Sequence, residues 1–218
     1  MNNVPAFDHR AVVAYVKNLI KSGEFEVLGT ILDPISQWLD EHRRANGGWT
    51  PSPLFVPGLR FGGVCVVTDI VVSVYDESSS FIGFALKKRE KEETGWHGQF
   101  HVVGTPSNRI DTDESIFRRL SNELYGTAEK WRWLLSFAVL AGREIHDEKI
   151  RGVVCYAETY EFGVPLSTFA KLQGEWRIFT EKDFGDESII DHHHAVLRWM
   201  ADPKRPPRVD LRSDPRYR

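Results

Sequence analysis

The stretch from Val64 to Val74, VCVVTDIVVSV, most constrains how this chain folds: its β-branched residues lose side-chain freedom in a helix and pack well on a pleated surface. It reads as a strand. Asp76 to Ser80 (DESSS) supplies turn residues and Phe81 to Leu86 resumes the apolar pattern, so the two segments form a hairpin. Phe100 to Val103 is a further short strand ending in Gly104, followed by a polar loop, GTPSNRIDTD. Asp113 stands where an N-cap belongs for a helix from Glu114 to about Tyr125, and Gly126 can supply a left-handed stop. A Trp-rich helix is expected from about Ala128 to Ala141, strands from Val153 to Tyr160 and from Glu175 to Phe179, and an amphipathic helix from Ser188 to Met200.

Upstream, Val12, Val13, Val16, Leu19 and Ile20 recur at helical spacing, and Ile31, Ile35, Trp38 and Leu39 repeat the pattern, which predicts two amphipathic helices. The link TPSPLFVPGLRFGG, with Pro51, Pro53 and Pro57, places a boundary near Pro57. The reading is a helical extension with its linker over 1–56, a main domain over 57–202 and a disordered Pro- and Arg-rich tail over 203–218. Short helices are marginal alone in water, so the N-terminal pair is expected to pack on the main domain or on a second copy, making a homodimer.

With 218 residues and 41% hydrophobic content, the chain can bury one sizeable core plus an appendage. The net charge is -3 and the basic residues are spread out, which argues against nucleic acid or an anionic membrane as partner. Cys65 and Cys155 lie in apolar runs without a partner at zinc-ligand spacing, as free thiols of a reducing compartment do. The absence of a basic leader and of a run of ~20 apolar residues leads to the expectation of a cytoplasmic protein.

From Phe61 to Met200 the order of elements resembles the Nudix superfamily. FALKKREKEETGWHGQFHVVGT is similar to that family's strands leading into the phosphate-binding loop. GEWRIFTEKDF with SIIDHHHAVLRWM is similar to its closing strand and terminal helix, and Gly104 to Gly126 stands where the Nudix box belongs. The resemblance implies a Nudix-type α/β/α sandwich with a mixed sheet, Mg²⁺ or Mn²⁺ as cofactor, and a nucleoside-diphosphate-linked or related phosphorylated ligand. In the box, glutamates at helix positions i, i+3 and i+4 share one face and hold the cation against the diphosphate.

Aligned without a gap from Thr105, the box puts Asp111 at its first Glu, Arg119 at its Arg, Leu120 and Leu124 at two ligand positions and Glu123 at the third. A second register reads Asp113-Glu114-Ser115 as the family's Gly-Glu-Ser and Asn122-Glu123-Leu124 as its Arg-Glu-Leu, so Gly126 and Thr127 replace the paired glutamates. Only Glu123 is kept by both. RRLSNELYG also resembles, weakly, the family's divergent GDP-mannose hydrolases. The run from Arg89 to Gly95, REKEETG, is one residue short of a box and spreads its carboxylates around a helix, so it reads as a solvated hairpin extension.

Under the resemblance, Glu123 holds the metal, Arg119 orients it, Asp111 or Glu114 assists, and Glu158 or Glu161 adds a later carboxylate. Gly104 and Thr105 line the ligand, and an exposed Trp133 would be either a stacking wall for a base or a partner surface. Equally open is that Glu123 and Arg119 form an i, i+4 pair worth ~0.5 kcal/mol or less. Asp191-His192-His193-His194 is read as structural, since consecutive side chains on a helix point ~100° apart. Two functions follow: a metal-dependent diphosphate hydrolase, or a non-catalytic module that senses a ligand or binds a partner.

Overall fold

The β-branched run forms β1 (Cys65–Tyr75), the strand around which a mixed sheet is built. The computed structural model describes residues 9–45, 65–90, 96–107, 111–148 and 153–218. The chain divides into two units, Met1–Thr50 and Pro51–Arg218. In the first, α1 (His9–Ser22) and α2 (Phe25–Ala45) are joined at Gly23, whose φ of 73° suits a residue without a Cβ, and Leu19 is buried. The expected helices are therefore present; Pro57 and the link around it lie outside the described residues.

In the second unit, β2 (Phe81–Lys88) pairs antiparallel with β1 across a turn in which the Asp76 carboxylate accepts from the Ser78 and Ser80 amides. β3 (Phe100–His101) pairs antiparallel with the end of β2, and β4 (Val103–Ser107) pairs with the first half of β1, running through Gly104 instead of ending there. The helix α3 (Asp113–Tyr125) follows, capped by the Thr112 side chain, one residue before the expected Asp113, and stopped by Gly126 at φ 69°.

The expected long Trp-rich helix is shorter. A 3₁₀ turn (Ala128–Lys130) leads into α4 (Trp131–Phe137), and the chain then turns into β5 (Val139–Glu148), a strand the sequence reading lacked. β6 (Val153–Pro165) pairs antiparallel with β5 and parallel with β1, in register from Cys65↔Cys155 to Tyr75↔Pro165. The short α5 (Leu166–Phe169), β7 (Trp176–Phe179) on β2, and α6 (Asp191–Ala201) complete the core.

Alternation along the strands divides this core in two. Ile70, Val72, Val74, Phe162 and Val164 meet Phe117, Leu120 and Leu124 of α3 and Leu134 of α4. On the other face Val71, Phe84, Leu86 and Phe100 meet Val196, Leu197, Trp199 and Met200 of α6. The result is the expected α/β/α sandwich, in which each fully buried large side chain contributes ~1.5–3 kcal/mol. Among the described residues, no helix is long and apolar enough to cross a membrane.

The tail departs from the disordered segment expected of it. β8 (Arg208–Asp210) lies parallel on the edge of β5, Leu211 and Tyr217 are buried, and the Tyr217 hydroxyl donates to Asp202 at 2.7 Å. Backbone carbonyls anchor it where composition gives little signal: Pro206 accepts from the Trp199 indole at 3.1 Å and Pro207 from the Arg143 amide at 2.9 Å.

Candidate functional site

The box segment folds around Arg119. From α3 its guanidinium donates to both oxygens of Asp111 at 2.9 Å, to the Thr105 hydroxyl at 3.0 Å and to the Pro106 carbonyl at 3.2 Å. The Asp111 side chain is only 4% exposed, so this fork ties loop, strand and helix together. Asp111, Thr105 and Arg119 are thus brought together as a clamp. Glu114 points elsewhere, pairing with Arg118 at 2.9 Å on the exposed side of the helix.

Glu123 comes within 3.7 Å of the His101 ring. Burial first, then the nearby Arg89 charge, pushes His101 down to about 3, so the ring is neutral and the contact is no ion pair. Leu120 and Leu124, at ligand positions in the ungapped register, are fully buried under β1 and β6. In the other register the paired glutamates are replaced by Gly126, which ends the helix, and Thr127, whose hydroxyl accepts from the Glu129 amide.

The later carboxylates do not join Glu123. Glu158 and Glu161 are three residues apart on β6 and project from opposite faces of the sheet. Glu158 pairs with Arg143 at 2.7 Å. Glu161 accepts from Ser73 at 2.7 Å and pairs with Arg205 at 3.2 Å. Among the described residues no three His, Cys, Asp or Glu side chains are placed to hold a cation, so the described carboxylates of the box and of β6 do not suit the divalent metal the resemblance implies.

Gly104 has a different reason to be glycine. It sits opposite Asp69 in the β1–β4 pair, and a Cβ built on it would collide with Asp69 Oδ1. Trp133 is 43% exposed, with its ring edge-on to Tyr125 and Phe162.

Sequence reasoning missed the most unusual polar group of the molecule, which lies below α6. Asp69, Glu144, His146, Thr159, His101 and His193 are all buried. Thr159 donates to one oxygen of Glu144 at 3.0 Å, while the other stands 3.8 Å from His146 Nδ1 without a hydrogen bond. His192 stacks on His146 with ring centroids 4.9 Å apart, and His193 Nδ1 accepts from the Val102 amide at 3.1 Å.

Burial and the charge of Glu144 raise Asp69 to about 7, against a lowering by His146. Burial pulls His146 down, but Cys155, Glu144 and Asp69 together carry it well above the usual imidazole value. Burial and the cation at His146 hold His192 well below that value; burial and neighbouring His192 do the same to His193. A charged letter inside the apolar run of β1 was the available signal. Its partners arrive from β5, β3 and α6, which no local pattern links.

On the α3 face of the sheet, beyond the helices, a cavity of about 630 Å³ opens over Val66, Ile145 and Tyr156, with Arg143, Glu158 and Arg208 on its walls. Tyr156 is 44% exposed. Among the described residues Arg208 makes no ion pair, whereas Arg143 is held by Glu158.

No family model matches the chain, and no curated protein does. Solved structures similar to it include a mutT/nudix family protein from Listeria innocua, at 16% identity over 61% of this chain and 88% of that one, with a TM-score of 0.43. The MutT protein from Methanosarcina mazei Go1 is 12% identical over 62% of this chain and 92% of that one, also with a TM-score of 0.43. A Nudix hydrolase from M. smegmatis is 11% identical over 61% of this chain and 83% of that one, with a TM-score of 0.40. The family named in these likenesses is the one that the stretch from Phe61 to Met200 resembles in its motifs.

Proposed function

We propose that this chain is a Nudix-like binding module for a small ligand of the nucleoside-phosphate kind, and that it does not hydrolyse that ligand through a metal held on α3. The observation that carries this reading is the dispersal of the carboxylates: Glu114 on Arg118, Asp111 on Arg119, Glu158 on Arg143, Glu161 on the opposite face of the sheet, and leucines or a helix stop at the remaining positions. A cation held against a diphosphate needs several oxygens converging on one point. Here each is engaged elsewhere.

The cavity beside β6 and β8 supports binding. Tyr156 offers an aromatic face for a base, and the Arg208 guanidinium offers hydrogen bonds and charge to a phosphate. The experiment is a melting series with nucleotide sugars, dinucleotides and nucleoside triphosphates in the presence of a chelator, alongside phosphate release with Mg²⁺ or Mn²⁺. A ligand at 100 times its Kd adds ~2.7 kcal/mol to stability, which a melting midpoint registers. The expected result is a metal-independent shift, lost when Tyr156→Ala and Arg208→Ala are combined, with no turnover. Metal-dependent turnover that drops ~10²-fold in Glu123→Gln would overturn the reading and restore the hydrolase.

A further inference from the structure

The N-terminal unit carries more apolar surface than two helices can bury against each other. On α2, Leu28, Ile31, Ile35 and Trp38 follow at alternating spacings of three and four residues, with Leu32 and Leu39 beside them. At 100° per residue these positions, with Phe25 and Val27, cover ~160° of the helix circumference, whereas an ordinary core-facing stripe takes ~100°. α1 accounts for part of it, since Leu19 is buried and Val16, Leu28, Ile31 and Leu32 are partly so. Phe25, Ile35 and Trp38 nevertheless remain 65%, 52% and 50% exposed.

We infer that the hairpin of α1 and α2 is a homodimerisation element in which α2 packs antiparallel on α2 of a second copy. The three-four spacing is that of a helix-on-helix seam. Direction follows from charge. Residues 24–33 contain Glu24, Glu26 and Asp33 and no Lys or Arg, whereas in residues 40–44 Asp40 and Glu41 are balanced by Arg43 and Arg44. A parallel pair would set the acidic segment against itself; the antiparallel pair sets it against the end that bears the arginines and opposes the helix dipoles.

The seam is symmetric about Ile35, which lies midway between Leu28 and His42, so one two-fold axis through Ile35 makes the patch self-complementary. Its size is adequate. α2 is ~31 Å long and α1 ~21 Å, so side by side they present a face of roughly 500 Å², which gives about 1,000 Å² over both partners, the lower bound of a specific interface.

The test is sedimentation equilibrium of the full chain over a range of concentrations. A mass of about twice 25.0 kDa is expected, falling to that of one chain in Ile35→Glu with the helical signal and melting midpoint retained. Because Ile35 is half exposed, this change has little folding cost. Oxidative cross-linking supplies the second readout. Ile35→Cys should join two chains where the parent protein does not, while Leu28→Cys, held ~21 Å from its counterpart, should not. A monomer at all concentrations, or a dimer that survives Ile35→Glu, overturns the proposal; efficient cross-linking of Leu28→Cys overturns the antiparallel arrangement.

Discussion

A carboxyl group in the middle of a buried strand is costly, and Asp69 shows how this fold accommodates one. Its folded carboxyl keeps a proton up to about pH 7, raised there by burial and by Glu144, whereas an unfolded Asp keeps it only to ~3.9. The folded state therefore binds the proton more tightly, and the associated stability is present below pH ~4 and lost as pH rises through 7. Asp69→Asn removes that loss. Its stability from urea unfolding, measured against the parent protein from pH 5 to pH 8, should gain about 1–3 kcal/mol as pH rises to about 7 and level off above it; a constant difference would show that Asp69 does not titrate there. Gly104→Ala should destabilise by ~1–3 kcal/mol through the collision with Asp69 Oδ1. Arg119→Met leaves Asp111 buried without its fork and should cost roughly 3 kcal/mol, seen as a lower melting midpoint. The sequence offered Asp69 and Gly104 as letters, but that one explains the other depends on β1 and β4 lying side by side.

Among the elements, those with an apolar rhythm were legible and those anchored by polar groups were not. β1, β2, α3 and α6 announce themselves because one or both of their faces repeat Val, Ile, Leu or Phe. β5 does not: its inward positions include Glu144 and His146, and the register shifts between Leu140 and Gly142, so the two-residue rhythm is invisible in composition. β8 is similar, a three-residue strand fixed by backbone bonds and by the distant anchors Leu211 and Tyr217. A chain ending at Asp202 loses those two buried side chains and the acceptor of the Trp199 indole. It should melt at a clearly lower temperature, by several kcal/mol of lost burial, and the intact tail should resist limited proteolysis. Cleavage that leaves the melting midpoint unchanged would mean that the tail is not docked.

For the whole molecule, the resemblance led to the α/β/α sandwich, whereas a box is defined by where its oxygens converge, which an alignment of residues does not give. Glu123 was recoverable from both registers, yet the ring that stands beside it, His101, is neutral. The same sandwich depends on one long pairing. β1 and β6 lie parallel with Cys65 opposite Cys155, which brings together residues 90 positions apart (155 minus 65). The ends of that loop must meet before most of the central contacts can form, and topologies dominated by such distant pairings fold on the slow side, in milliseconds to seconds. During that interval β1 is an apolar strand with an open edge, which another unfolded chain can occupy as readily as β6. Refolding yield should therefore fall steeply with protein concentration, and the hazard is set by the order in which strands become available.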